Sequence, residues 1–298
     1  MSDAAITTHG LTKHFGSTVA LDDVDLEVRR GEVFGYLGPN GAGKTTTLRL
    51  LLGLIRPTRG TAEVLGIDVA DVEQAHRQLA YVPGDVSLWP KLTGEECLHL
   101  FAQLHGSVDT DYRAQLVERF DLDVSKRARA YSKGNRQKVA LVAAFASRAE
   151  LLVMDEPTSG LDPLMEQEFQ RCVAEATERG QTLFLSSHLL DEVEELCGRV
   201  GILRSGRLVE VAEVEALRRM HGTVLEIDSG DGLPDLAAVP GVSAVERTPA
   251  GVRVQMTGSV APLLAALSTC EVTALRSREA SLEEVFLGYY GANGDGAS

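Results

Sequence analysis

The stretch that most constrains this chain is Gly38-Pro39-Asn40-Gly41-Ala42-Gly43-Lys44-Thr45-Thr46, which fits the phosphate-binding pattern G-x-x-x-x-G-K-[ST] at every fixed position. An apolar strand candidate, Val33 to Leu37, leads into it, and a helix candidate, Thr45 to Leu52, leaves it. The glycines let the backbone curl until successive N–H groups face inward, and the positive end of the following helix adds to the attraction for an anion. In this pattern Lys44 reaches the β- and γ-phosphates and Thr45 offers its hydroxyl to Mg²⁺. The bland alternative is an ordinary Gly-rich turn, and the strand before it and the helix after it weigh against that.

On either side of the loop the chain reads as strands and helices in an α/β order. Ile6 to Thr12 and Leu21 to Val28 alternate as strands, bounded by turns at His14-Phe15-Gly16 and Arg30-Gly31, and give an antiparallel sheet flanking the loop. Phe15, just past the first strand, either stacks on a nucleotide base or packs into the core. Pro57 stops the segment after the loop helix, and Thr61 to Leu65 and Leu79 to Val82 read as strands, the second ending in a Pro83-Gly84 turn. Helical patterns over Thr93 to Leu104, opened by a Thr93/Glu96 capping box, and over Asp111 to Phe120 form a helical insertion of about 86–148.

Tyr131-Ser132-Lys133-Gly134-Asn135-Arg136-Gln137-Lys138 then precedes an apolar helix, Val139 to Ala146, a second helix N-terminus open to an anion. Leu151 to Met154 has no polar alternation, as in a strand buried on both faces, and it ends in Asp155-Glu156. Ligands of open α/β sheets bind at the carboxyl ends of strands, so these acids point at the nucleotide. Asp155 suits Mg²⁺ and Glu156 suits polarising an attacking water; two exposed acids closing a strand is the plain alternative. Pro157 to Pro163 is a tight turn into the helix Leu164 to Arg179, and the buried strand Thr182 to Ser186 ends at Ser187-His188. A lone histidine is most often structural, but at a strand end of this sheet it lies beside the γ-phosphate.

Composition narrows the function classes. Over 298 residues the net charge is -14, from 43 acidic and 29 basic residues, so no field favours nucleic acid or an anionic lipid surface. Cys97, Cys172, Cys197 and Cys270 lie far apart, forming neither a disulfide framework nor a zinc pattern, and read as packing residues. No stretch reaches the ~18 consecutive apolar residues of a membrane-spanning helix, and Met1 to Thr8 lacks the basic-then-apolar pattern of a signal peptide. Any membrane role is expected to come through a partner.

From about Ile6 to about Leu217 the motifs, in order and spacing, resemble the nucleotide-binding subunits of ATP-binding-cassette transporters. The resemblance implies a P-loop fold with a mixed sheet core, an antiparallel β subdomain and a helical subdomain over 1–220, with ATP and Mg²⁺ as cofactors. It implies that Gly38 to Thr46 bind phosphate, that Phe15 stacks on the base, that Thr45 and Asp155 hold Mg²⁺, and that Lys44, Glu156 and His188 are catalytic. Tyr131 to Gln137 stands at the family's signature, so Ser132, Gly134 and Asn135 act on the nucleotide of a second subunit. Ser159 to Asp162 matches the loop that contacts the mate. The implied working unit is a homodimer that drives a separate multi-span permease from the cytoplasmic face of the membrane, with no nucleic-acid partner.

The chain departs from the family at two places. Lys133 replaces a signature glycine and adds a cation, while Asn135 replaces the glutamine. Gly84 stands where the family has the glutamine that senses Mg²⁺ and water, leaving Asp85 or a rearranged metal shell to substitute. Trp89, between Asp85 and Thr93, either packs in the core or marks where a permease helix docks. From about His221 a smaller module follows, 221–298, with strands at Val224 to Ile227, Val242 to Glu246, Val252 to Met256 and Val272 to Leu275. Short helices at Leu236 to Val239 and Val260 to Leu267 give a β-α-β-β-α-β order, a small α+β split βαβ sandwich. Its 10 acids against 4 arginines oppose nucleic-acid binding. Ser281 to Gly291 resembles the C-terminal extension of the drug and antibiotic exporter branch, and Asn293 to Ser298 reads as a frayed tail. Two other classes remain: a soluble ATPase of the same fold acting on ribosomes or DNA, and a nucleotide-dependent regulatory module.

Overall fold

The computed structural model describes residues 3–106, 108–229, 233–268, 270–284 and 286. The tail Asn293 to Ser298, and most of the exporter-like segment beyond Glu284, lie outside them. The chain divides into two compact units, Met1–Val211 and Ala212–Ser298.

The first unit begins with β1 (Ala4–Phe15) and β2 (Thr18–Arg29), an antiparallel hairpin that buries Leu21, Val24, Leu26 and Val28 on one face by strand alternation. β3 (Val33–Leu37) is buried throughout and runs through the loop into α1 (Lys44–Leu51). β4 (Arg59–Val64) and β5 (Ile67–Asp68) complete an antiparallel sheet in the order β2-β1-β4-β5 among the described residues. A five-residue helix, α2 (Val72–His76), absent from the sequence reading, is capped by the Asp71 carboxylate, which accepts from the Gln74 N–H at 3.3 Å. β6 (Leu79–Val82) follows.

The helical part consists of α3 (Gly94–His105), α4 (Thr110–Arg119) and α5 (Lys133–Ala146). Both halves of the expected capping box form: Thr93 Oγ1 accepts from the Glu96 N–H at 3.2 Å, and Glu96 Oε2 accepts from the Thr93 N–H at 2.8 Å. α5 starts at Lys133 and not at Val139, because Ser132 caps it by accepting from the Asn135 N–H at 3.2 Å. The polar signature residues are thus the helix's first turn.

β7 (Leu151–Asp155), α6 (Pro163–Glu178), β8 (Thr182–Ser187), α7 (Leu190–Leu196), β9 (Arg199–Arg204) and β10 (Arg207–Glu213) follow in order. The described residues form a second sheet in the order β10-β9-β3-β8-β7-β6, in which β9, β3, β8, β7 and β6 run parallel. β8 therefore lies between the strand that feeds the loop and the strand that ends in Asp155. Parallel strands covered on both faces explain the unbroken apolar runs. α7 packs onto β3 so closely that a Cβ on Gly35 would lie 2.6 Å from Val193 Cγ1.

The second unit holds α8 (Val214–His221), β11 (Thr223–Ser229), β12 (Val242–Thr248), β13 (Gly251–Met256), α9 (Ala261–Leu267) and β14 (Val272–Glu279). Its strands pair antiparallel in the order β12-β13-β11-β14, which is the split βαβ arrangement. The helix expected over Leu236 to Val239 is a single 3₁₀ turn, Leu236–Ala238, since Pro234 and Pro240 bracket it. One sheet face buries Leu225, Ile227, Val254 and Met256 against Leu263 and Leu267.

Candidate nucleotide site

The site assembles at the carboxyl ends of β3, β8, β7 and β6. The loop turns through Gly41 at φ 82° and Gly43 at φ 117°, left-handed geometry that favours glycine. A Cβ on Gly43 would meet the Ala20 carbonyl oxygen at 2.7 Å, and one on Gly38 would meet that of Leu203 at 2.6 Å. Gly43 also caps α1, so no side chain caps this helix, and its first turn contains no acid. The helix start that a serine or aspartate closes elsewhere is left open to an anion here.

Lys44 is buried and donates to the carbonyl oxygens of Gly38 and Pro39. Burial pushes its pKa down, opposed by the charges of Glu156 and Asp155. Asp155, only 9% exposed, is pushed up from the ordinary carboxylate range by burial; Ser186 Oγ, donating to Oδ1 at 3.0 Å, pulls the other way, as do Lys44 and the Thr45 hydroxyl. A carboxylate, a hydroxyl and a lysine thus converge where the loop meets β7. Hard oxygen donors of this kind fit Mg²⁺, and the open helix start fits a polyphosphate.

Glu156, the next residue, holds φ 50°, a left-handed conformation that costs about 1–3 kcal/mol outside glycine. Its N–H donates to the Ser186 carbonyl at 2.8 Å, and its carboxylate Oε2 contacts His188 Nδ1. A cavity of about 470 Å³ runs past Thr18 and Ala20, the loop residues Pro39, Asn40, Gly41, Gly43, Lys44, Thr45 and Thr46, and then Gly84, Asp155 and Glu156. Ala42 is buried beneath the loop.

Other residues singled out from the sequence lie elsewhere. Phe15 is 49% exposed at the hairpin end with Lys13 Nζ 5.0 Å from its ring centre, which removes the core alternative; Thr18, Val19 and Ala20 of that hairpin line the cavity instead. Ser132 and Asp162 act as helix caps, Asp162 accepting from the N–H groups of Leu164 and Met165. Gly134 and Asn135 sit in the first turn of α5. Asp85, the expected substitute for the missing glutamine, is exposed and does not line the cavity. Lys133 does line it, with Nζ donating to Ser159 Oγ at 2.6 Å.

Sequence reading missed how the loop after Glu156 is held. Buried Gln137 donates to the Pro157 carbonyl at 3.0 Å, Lys133 holds Ser159, and Gly134 abuts Gly160 so tightly that a Cβ would lie 2.3 Å from its carbonyl oxygen. The first turns of α5 thus grip the segment that leaves Glu156, although the paired residues lie 20 to 26 positions apart in the chain.

A glycine cradle at a strand end, a buried lysine and an acid pair two strands away, across β8, define a P-loop nucleotide hydrolase of the cassette type. The ABC transporter family model matches residues 21–159. The bacitracin transport ATP-binding protein BcrA of Bacillus licheniformis is 35% identical over 76% of this chain and 75% of its own length. The daunorubicin resistance ATP-binding protein DrrA3 of Streptomyces coeruleorubidus is 39% identical over 74% of this chain and 72% of its own. A solved ATP binding subunit of an ABC transporter is 34% identical with a TM-score of 0.68, covering 72% of this chain and 92% of that one. The dimeric post-hydrolysis state of the ATP-binding cassette MJ0796 bound to ADP and Pi shares the fold, with a TM-score of 0.64 at 23% identity over 70% of this chain and 98% of its own. The chain belongs to the ATP-binding proteins of the ABC transporter family; it binds ATP and is an ATPase.

Proposed function

We propose that this protein energises export of a drug, antibiotic or other hydrophobic compound through a separate membrane permease, working as a homodimer on the cytoplasmic face. The observation that carries the reading is the convergence of Lys44, Asp155 and Glu156 on one cavity, with His188 touching the Glu156 carboxylate. The bacitracin and daunorubicin relatives support the class of cargo. Among the described residues no helix is long and apolar enough to cross a membrane, so the pore belongs to a partner in this reading.

Residues 1–220 form the ATPase domain, with the helical insertion over about 86–148, and 221–298 an accessory domain. The loop N–H groups and Lys44 bind the phosphates, and Phe15 stacks on the base. Thr45 and Asp155 would hold Mg²⁺, which when bound neutralises charge on the phosphate oxygens. Glu156 orients the attacking water, and the His188 Nδ1 contact fixes its carboxylate. Ser132, Gly134 and Asn135 meet the ATP of the mate, and Asp162 shapes the loop between subunits. With Asp85 outside the cavity lining, a rearranged metal shell substitutes for the glutamine that Gly84 replaces, and Lys133 adds a cation to the same cavity. ATP bridging the subunits has to favour the closed dimer by about 5.5 kcal/mol to move its population from 1:99 to 99:1.

Trp89, 47% exposed and 5.9 Å from Phe101 between ring centres, lies beside exposed Lys91 and marks the permease contact. The test is crosslinking from Lys91 to a co-expressed multi-span protein: a specific crosslink supports the reading. Full crosslinking to ribosomes or DNA in its place would favour the soluble-ATPase class.

A further inference from the structure

α7 carries a half-buried acid, Glu192, that the catalytic scheme does not use. Ser187 Oγ donates to Glu192 Oε2 at 2.7 Å, and the Leu189 N–H donates back to Ser187 Oγ at 3.0 Å. Glu192 Oε1 is buried with no partner. Ser187 is itself buried. Burial pushes the Glu192 pKa up, with the charge of nearby Glu156 adding to it. An acid in this position is costly unless its contacts matter.

That bond bears on the catalytic groups. Ser187 is peptide-linked to His188, His188 contacts Glu156, and Glu192 on α7 holds the Ser187 hydroxyl. α7 cannot drift, because Val193 is seated against Gly35 of β3. We propose that Glu192 is a positioning residue: its carboxyl holds Ser187 at the end of β8 and so keeps the adjacent His188 aligned on Glu156. Neither Glu192 nor Ser187 lines the nucleotide cavity, so nucleotide contacts do not depend on them. The inference rests on the catalytic assignment of Glu156 above.

The test compares steady-state ATPase and ATP affinity of the full chain with Glu192→Ala, Glu192→Gln and Ser187→Ala. A misplacement of catalytic groups by an ångström lowers turnover by roughly 10- to 100-fold. Glu192→Ala is expected to lose kcat on that scale with KM and Kd for ATP unchanged. Glu192→Gln, which keeps an acceptor for Ser187, recovers most of the rate. Ser187→Ala mirrors the loss, and combining it with Glu192→Ala adds little, as for two members of one contact. Wild-type kcat in Glu192→Ala overturns the proposal, as does a loss that Gln fails to rescue or that KM shares equally. If Glu192→Ala does not fold, wild-type kcat in Ser187→Ala overturns it alone. Glu156→Gln runs alongside: if it abolishes turnover while the Glu192 and Ser187 variants are normal, only this inference falls. If Glu156→Gln itself turns over normally, the underlying assignment fails first.

Discussion

The Glu156 carboxylate and His188 Nδ1 are in contact across the ends of two adjacent parallel strands, β7 and β8. The contact exists because Glu156 adopts a left-handed backbone, anchored by its N–H to Ser186, at the point where the chain leaves β7. Strain at such a position is sustained by its surroundings, and here the surroundings include three separate grips on the following loop.

Lys44→Ala removes a buried cation whose bonds to charged groups are worth about 1.5–3 kcal/mol, so ATP affinity is expected to fall on the order of 10- to 100-fold. Isothermal titration with ATP checks this. Unchanged affinity would count against the loop as the phosphate site.

Asp155→Asn separates function from stability. The buried carboxylate is held against its own desolvation, so neutralising it while keeping its shape is expected to raise the melting temperature by a few degrees, on the order of 1 kcal/mol. Turnover with Mg²⁺ is expected to collapse in the same variant. Thermal denaturation without nucleotide, set beside an ATPase assay, reads both; a lowered Tm would contradict the account of the site's electrostatics.

Gly134→Ala drives a Cβ to within 2.3 Å of the Gly160 carbonyl oxygen, which forces α5 away from the loop after Glu156. Overpacking of this kind costs about 1–3 kcal/mol. Turnover is expected to drop while ATP binding to the isolated subunit persists, because Gly134 does not line the cavity. Equal loss of binding would show that the two regions are not separable.

The parts of this molecule that are local in sequence were legible in it. The strand-loop-helix around Gly38 to Thr46, the capping box of Thr93 and Glu96, and the unbroken apolar run before Asp155 each follow from nearest-neighbour chemistry. What escaped was non-local. No spacing rule brings Lys133 to Ser159 or Gln137 to Pro157, and the helical first turn of α5 is hidden because its residues are polar. Glu192 is one acid among several on the short helix α7, and only the fold reveals that it is half-buried and accepts from the Ser187 hydroxyl. Asp85 illustrates the converse: adjacent in sequence to the missing glutamine, it is exposed and does not line the cavity.

The most direct test of the central claim is the mass of Glu156→Gln in solution with Mg²⁺ and ATP, by light scattering after size exclusion. Loss of the group that orients water slows hydrolysis roughly 100- to 10,000-fold and leaves the triphosphate in place. The account predicts a shift from the 32.0 kDa chain to twice that mass with ATP and a return to the single-chain mass with ADP. A protein that binds ATP yet stays at single-chain mass would contradict it.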